Sequence, residues 1–265
     1  MGRKQGPRKG SMQFWPRCRA EKYLPKVNWD PIVVNSTKKP GEKINLLGFL
    51  GYKAGMASAY VKDNTNDSMT KGKRIIVPVT IIECPPMKIL SVRFYKHGKV
   101  LKDVLNDNLD KDLKRIIRMP DAKNKKIGAK EQIDKLEKEK MHEITDVQLV
   151  CYSEAKKTEI KKTPDISEIA ISGQNLAEKI NFAKEHLAKE FSVADVFTKG
   201  IVDIRGVTKG KGFAGAVKRF GVHYRSHKAE KGQKKVGSIG AWHPHGVRFT
   251  VPRPGVVVLF SCVTY

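Results

Sequence analysis

A mixed fold, mainly β with an α-containing insertion, is predicted by three observations. Short β-branched or apolar runs bounded by Gly and Pro recur along the chain. Two stretches between them carry helical periodicity, and a large positive surplus is concentrated towards the two ends.

The strand signals come first in the chain. Residues 44–50 (Ile-Asn-Leu-Leu-Gly-Phe-Leu), 75–83 (Ile-Ile-Val-Pro-Val-Thr-Ile-Ile-Glu) and 88–95 are rich in residues that fit a pleated, half-buried surface. In the middle, Ile133, Leu136 and Met141 recur near helical spacing. Glu131/Lys135 and Asp134/Lys138 stand four apart in the order that supports a helix. Leu176, Ile180, Ala183 and Leu187 mark a second amphipathic helix, closing near Phe191. With 265 residues, 40% of them hydrophobic, the chain is long enough for one or two domains with a buried core.

Charge divides the chain the same way. It carries 52 Lys and Arg against 27 Asp and Glu, a formal +25. Residues 1–26 hold eight basic residues against Glu21 alone, and 27–98 hold eleven against five. Residues 99–190 nearly balance, twenty against eighteen, as ordinary solvated surface does, and 191–200 balance fully. Residues 201–255 then hold twelve basic residues against Asp203 and Glu230. Such a surplus opposes compaction unless counter-charge arrives from outside, so the expected partner is a polyanion rather than a small-molecule substrate.

Other classes fit poorly. The basic start is followed by no apolar h-region, and Gly6 stands where a myristoylation signal needs Ser or Thr. The longest apolar run, Val256 to Phe260, is far shorter than the roughly 20 residues a bilayer requires, so no membrane partner is expected. Cys18, Cys84, Cys151 and Cys262 lie far apart, without the spacing of a zinc ribbon or a disulfide framework. A reducing, cytoplasmic setting fits these thiols.

The basic ends have a texture that neither helix nor strand periodicity explains. Residues 1–22 interleave cations with Gly6, Pro7, Gly10, Pro16, Phe14 and Trp15. Residues 205–255 interleave theirs with glycines, prolines and Phe213, Phe220, Tyr224, Trp242 and Phe249. Too few apolar residues are present for either end to bury a core alone. RNA can order such a segment: cations neutralise phosphates, glycines admit close backbone approach, and rings stack on bases.

Three local patterns compete with that reading. Gly210-Lys211-Gly212-Phe213-Ala214-Gly215 matches a dinucleotide fingerprint, with Ile201 to Val207 as a candidate preceding strand and Glu230 at the ribose-ligand distance. That site needs an amphipathic helix facing the pyrophosphate, whereas the segment that follows is broken by Gly221. His223 with His227 and His243 with His245 are spaced like two halves of a zinc site, but Arg and Lys surround them and no orienting carboxylate is near, so neither metal nor cofactor is expected. Trp242 sits between Gly240 and Pro244 in the most basic region, either as a core ring with Val236 and Ile239 or as a ring packed on RNA at a loop tip.

Several motifs together carry a family resemblance. They are Pro7-Arg8-Lys9-Gly10-Ser11, Gly51-Tyr52-Lys53-Ala54-Gly55-Met56, and Pro78-Val79-Thr80-Ile81-Ile82-Glu83 with Pro85-Pro86-Met87. They continue with Gly206-Val207-Thr208-Lys209-Gly210-Lys211-Gly212, Val217-Lys218-Arg219-Phe220-Gly221-Val222 and Gly240-Ala241-Trp242-His243-Pro244. In this order they resemble universal large-subunit ribosomal protein family three, in its archaeal and eukaryotic type. The resemblance implies a six-stranded translation-protein-type β-barrel with a long basic N-terminal segment and a central loop that penetrates ribosomal RNA. It implies neighbouring ribosomal proteins as partners, a part in early subunit assembly, and no chemistry of the protein's own. It places the loop over about Thr208–Arg253 with Trp242 at its tip, near the peptidyl transferase centre and the aminoacyl-tRNA entry path, and gives His227 a family counterpart.

The expected organisation is a basic N-terminal extension (1–43), the first part of the barrel (44–98), a charge-balanced α/β insertion (99–190), a return to the barrel (191–207), the RNA-penetrating loop (208–253) and an atypical C-terminus (254–265), whether truncated, frameshifted or divergent. The residues expected to meet RNA are Arg3, Lys4, Arg8, Lys9, Phe14, Trp15, Arg17 and Arg19 near the start, and Lys53 in the first barrel segment. In the loop they are Lys209, Lys211, Lys218, Arg219, Arg225, His227, Lys228, Lys234, Lys235, Trp242, His243, Arg248 and Arg253. The competing reading is a chromatin-like nucleic-acid architectural protein.

Overall fold

The computed structural model of the chain describes residues 20–36, 44–119, 127–173, 175–197, 200–210, 212–240, 243 and 257–259. In chain order the elements are α1 (Asp30–Ser36), β1 (Tyr52–Lys62), β2 (Arg74–Glu83), β3 (Met87–Lys96), β4 (Lys99–Leu105), α2 (Ala129–Lys140), β5 (Asp146–Ser153), β6 (Ile166–Ala170), α3 (Leu176–His186), α4 (Val193–Val196), β7 (Gly212–Ala214), α5 (Ala216–Phe220) and β8 (Val257–Leu259). Two compact units divide the chain, one of residues 28–200 and one of residues 1–27 with 201–265.

The core of the first unit is an antiparallel sheet in the order β4-β3-β5-β6. Its centre is β5, where Val147 to Ser153 are all buried because both faces are covered. On one face Val92, Phe94, Val104, Val147, Leu149, Cys151 and Ile169 are buried, while α2 and α3 pack against β4 and β5 with Ile133, Leu136, Ile180 and Ala183 buried. On the other, Leu90, Val150 and Tyr152 cluster with Leu113 from a 3₁₀ turn at Lys111–Arg115. Each of the Val, Leu, Ile and Phe side chains contributes about 1.5–3 kcal/mol by leaving water. Burial pushes the Cys151 thiol up to about 12, so it stays protonated and inert.

The β3–β4 hairpin turns at His97-Gly98, both with positive φ (45° and 74°), the twist a two-residue hairpin favours. Tertiary contacts override local pairing between the helices. Asp134 meets Lys184 of α3 at 2.5 Å, and Glu137 meets the same ammonium at 2.6 Å, so the donor to Asp134 comes from a neighbouring helix rather than from Lys138.

Strands β1 and β2 form a separate antiparallel ribbon with a register shift between Lys53 and Gly55. Its base is held by Tyr52, whose hydroxyl donates to Asp165 at 2.5 Å and lies 2.6 Å from the Ser153 hydroxyl. At its far end Asp63 accepts from the Thr65 N–H and the Thr70 hydroxyl, which organises the connecting loop. Between these points Met56, Tyr60, Ile76 and Ile81 are exposed.

The expected strand over 44–50 is reduced to one bridge, Leu46 with Ile171. Leu46 and Leu50 are buried there, but Gly48 lies so close to Trp29 that an added Cβ would sit 2.5 Å from the ring, and the segment is packed rather than paired. Conversely β1, rich in Ala, Gly and Ser, has little intrinsic strand preference and owes its conformation to β2. Residues 201–207, the candidate strand before the glycine fingerprint, have no regular secondary structure. Among the described residues the strands lie in three separate sheets and do not close into a barrel, so the architecture they establish is mixed α/β.

Candidate nucleic-acid interface

Several cations of the first unit are paired internally. Lys88 meets Glu154 at 2.6 Å and both Asp110 and Glu190 at 3.2 Å. Burial works against its charge, but the hydrogen bonds with Glu154, Asp110 and Glu190 outweigh it and raise the pKa. Arg93 binds Asp103 and Glu168, Lys96 binds Glu143, Lys157 binds Glu154 and Glu190, Lys161 binds Asp165 and Lys179 binds Asp146. These Lys and Arg side chains are spent on acidic neighbours within the unit.

The second unit uses the same residue types differently. Short β7 pairs with β8 in the register Gly212–Leu259, Phe213–Val258 and Ala214–Val257, which brings the two ends of the intervening segment together. The five-residue helix α5 follows and ends at Gly221, whose left-handed φ of 65° stops it. Beyond it the Arg225 N–H donates to the Gln233 carbonyl at 3.1 Å, and the Ala229 N–H to Ser226 at 2.9 Å. Lys231 and Gly232, both with positive φ, complete the turn. The Arg225 guanidinium lies against Gly237, where a Cβ would approach it to 3.4 Å.

The resulting loop presents Lys218, Lys228, Lys231, Lys234 and Lys235 exposed and Arg225 half-buried. Among the described residues no carboxylate forms an ion pair with any of these six. Such an array has unneutralised field on one short stretch of chain, and its chemistry is attraction of phosphates, not proton transfer.

The expected site residues divide accordingly. Lys218, Arg225, His227, Lys228, Lys234 and Lys235 fall on or beside this loop, Lys209 is exposed just before β7, and His243 is exposed beyond it. Lys53 is exposed on β1, in the other unit. Arg3, Lys4, Arg8, Lys9, Phe14, Trp15, Arg17, Arg19, Lys211, Trp242, Arg248, Arg253 and the side chain of Arg219 lie outside the described residues. Lys231, equivalent to its neighbours in exposure, was absent from the expectation although its place in the Lys run marks it. The exposed ring of Tyr23 is also absent from it, because exposure of an aromatic cannot be read from composition, while Tyr224, one of the rings interleaved with the cations, is exposed as well.

The glycine fingerprint does not build a dinucleotide site, since α5 is too short to present a dipole to a pyrophosphate. Among the described residues no three His, Cys, Asp or Glu side chains come together in a metal-binding group. No helix among them is long and apolar enough to cross a membrane.

Comparison with known proteins gives the array its context. The family model described as ribosomal protein L3 matches residues 1–259. The chain belongs to the ribosomal protein L3 family. It is 39% identical over 258 residues to a protein of Methanocaldococcus jannaschii named large ribosomal subunit protein uL3, covering 94% of this chain and 73% of that one. The protein of the same name from Archaeoglobus fulgidus is 38% identical over 262 residues, with 94% and 73% covered. That from Methanobrevibacter smithii is 39% identical over 266 residues, with 96% and 74% covered. The family match reaches four residues past Gly255, through β8.

Proposed function

We propose that this chain is a structural, non-enzymatic constituent of the large ribosomal subunit in the cytoplasm, bound to ribosomal RNA and neighbouring ribosomal proteins. The observation that carries this reading is the contrast between units: Lys88, Arg93, Lys157 and Lys179 of the first are neutralised by acidic neighbours, while Lys218, Arg225, Lys228, Lys231, Lys234 and Lys235 have no acidic partner among the described residues and await an external polyanion. Family membership supplies the polyanion's identity. The translation-protein-type barrel belongs to the same reading, with β1 and β2 among its strands. So do the remaining expected RNA contacts, the segment layout proposed from the sequence, a part in early assembly, and a loop tip at Trp242 near the peptidyl transferase centre.

Binding of the full chain to a large-subunit RNA fragment tests this. With about six to ten phosphate contacts, affinity falls on the order of a thousandfold or more between about 50 and 200 mM salt. Replacing Lys234 and Lys235 by Ala lowers the salt slope by roughly 0.7–0.9 per residue. Replacing the internally paired Lys157 and Lys161 leaves it unchanged. A flat salt dependence, or equal effects of the two pairs, overturns the reading. For Trp242→Ala, subunit incorporation is retained while peptidyl transfer or aminoacyl-tRNA selection changes.

A further inference from the structure

A cleft within the second unit holds groups that phosphate binding does not explain. Glu21, Lys22 and Tyr23 line it together with Val207, Thr208 and Gly210, around a cavity of about 260 Å³. Both segments lack regular secondary structure, so their backbones follow no ladder. Tyr23 is 92% exposed, and among the described residues no ring or cation packs on it. Glu21 and Lys22 are exposed and form no ion pair among those residues.

This combination selects one part of a nucleotide. Glu21 and Lys22 bring opposite charges to the cleft, so it lacks the net positive charge that phosphate binding alone would use. A nucleobase meets a free aromatic face in Tyr23, an apolar wall in Val207, and in Glu21 an acceptor for the N–H groups of its Watson–Crick edge. Lys22, next in the chain, is placed for the flanking phosphate. We propose that the cleft takes an unpaired nucleobase stacked on Tyr23, a contact that reads single-stranded RNA rather than duplex backbone. The inference rests on the RNA-binding reading above and adds a specific ligand part and residues to it.

Two probes separate stacking from charge: a fluorescein-labelled single-stranded oligoadenylate decamer, and the same ribose-phosphate chain without bases. Tyr23→Ala in the full chain weakens binding of the base-bearing probe by roughly 5- to 150-fold, the range of one stacked base, without changing the salt slope. Binding of the abasic probe is unchanged. Tyr23→Phe retains the wild-type preference, and Lys22→Ala lowers the salt slope by roughly 0.7 on both probes. Unaltered binding by Tyr23→Ala, or an equal loss on both probes, overturns the proposed stacking. Failure of the wild-type chain to bind the base-bearing probe while it still binds the large-subunit RNA fragment overturns the stacking cleft alone, and failure on that fragment as well overturns the RNA reading itself.

Discussion

Gly48 and Trp29 show how one residue governs the entry of the chain into the first unit. The indole Nε1–H donates to the Glu168 carbonyl at 3.0 Å, which pins the ring against β6 and leaves Gly48 beneath it without room for a side chain. Because the ring is held by its own hydrogen bond, it cannot swing away freely. Gly48→Ala therefore destabilises the protein by about 1–3 kcal/mol, the usual cost of overpacking, as measured by denaturant unfolding. In a Trp29→Phe background, which removes the obstructing atoms, the same substitution costs less. Additive effects of the two changes would show that Gly48 is constrained by something other than the indole.

At the scale of elements, the ribbon of β1 and β2 contrasts with the sheet. The sheet is covered on both faces, whereas the ribbon exposes Met56, Tyr60, Ile76 and Ile81 and depends on its base. There Tyr52 joins β1 to Ser153 at the end of β5 and to Asp165 just before β6, with the Lys161 ammonium 5.8 Å from the ring centroid. Burial, then the bond to Asp165, raises the phenol's pKa, so it remains a donor throughout the physiological range. Tyr52→Phe removes both bonds but keeps the ring. The expected loss is about 1–2 kcal/mol, read as faster hydrogen exchange of β1 and β2 amides with little change in β3 and β5. Uniform acceleration across all four strands would mean that ribbon and sheet open as one unit.

Across the whole molecule, ionisation links stability to pH. Asp134 is held below its ordinary value chiefly by the bond from Lys184, Glu143 by that from Lys96, and Glu190 by that from Lys157. A carboxylate whose pKa is lower folded than unfolded binds fewer protons in the native state. Its stabilisation is complete above the unfolded value of about 4.3 and disappears as pH falls through the folded value. The thermal midpoint accordingly declines as pH drops below about 4.5, and Asp134→Asn removes part of that decline. An acid transition unaltered by Asp134→Asn would assign it to other carboxylates. Added salt at neutral pH screens the array at residues 218–235 and so acts on RNA binding without acid's effect on the paired domain.

Composition and motif order by themselves determined that the chain meets a polyanion and which family it resembles, because net charge and local sequence survive without a fold. Apolar, β-branched runs likewise located β2 and β3, and helical periodicity located α2 and α3, because both signals lie in neighbouring residues of the chain. Only the tertiary structure decided the rest. It made a strand of the Ala- and Gly-rich 52–62 by pairing it with β2, and denied one to 44–50 by setting Gly48 under Trp29. It also separated lysines that sequence cannot tell apart: Lys157 is spent on Glu154 and Glu190, whereas Lys234 and Lys235 have no acidic partner among the described residues. The physical reason is common to all three cases. Pairing, steric exclusion and charge neutralisation each depend on residues distant in sequence, and a distance through space is fixed only when the chain folds.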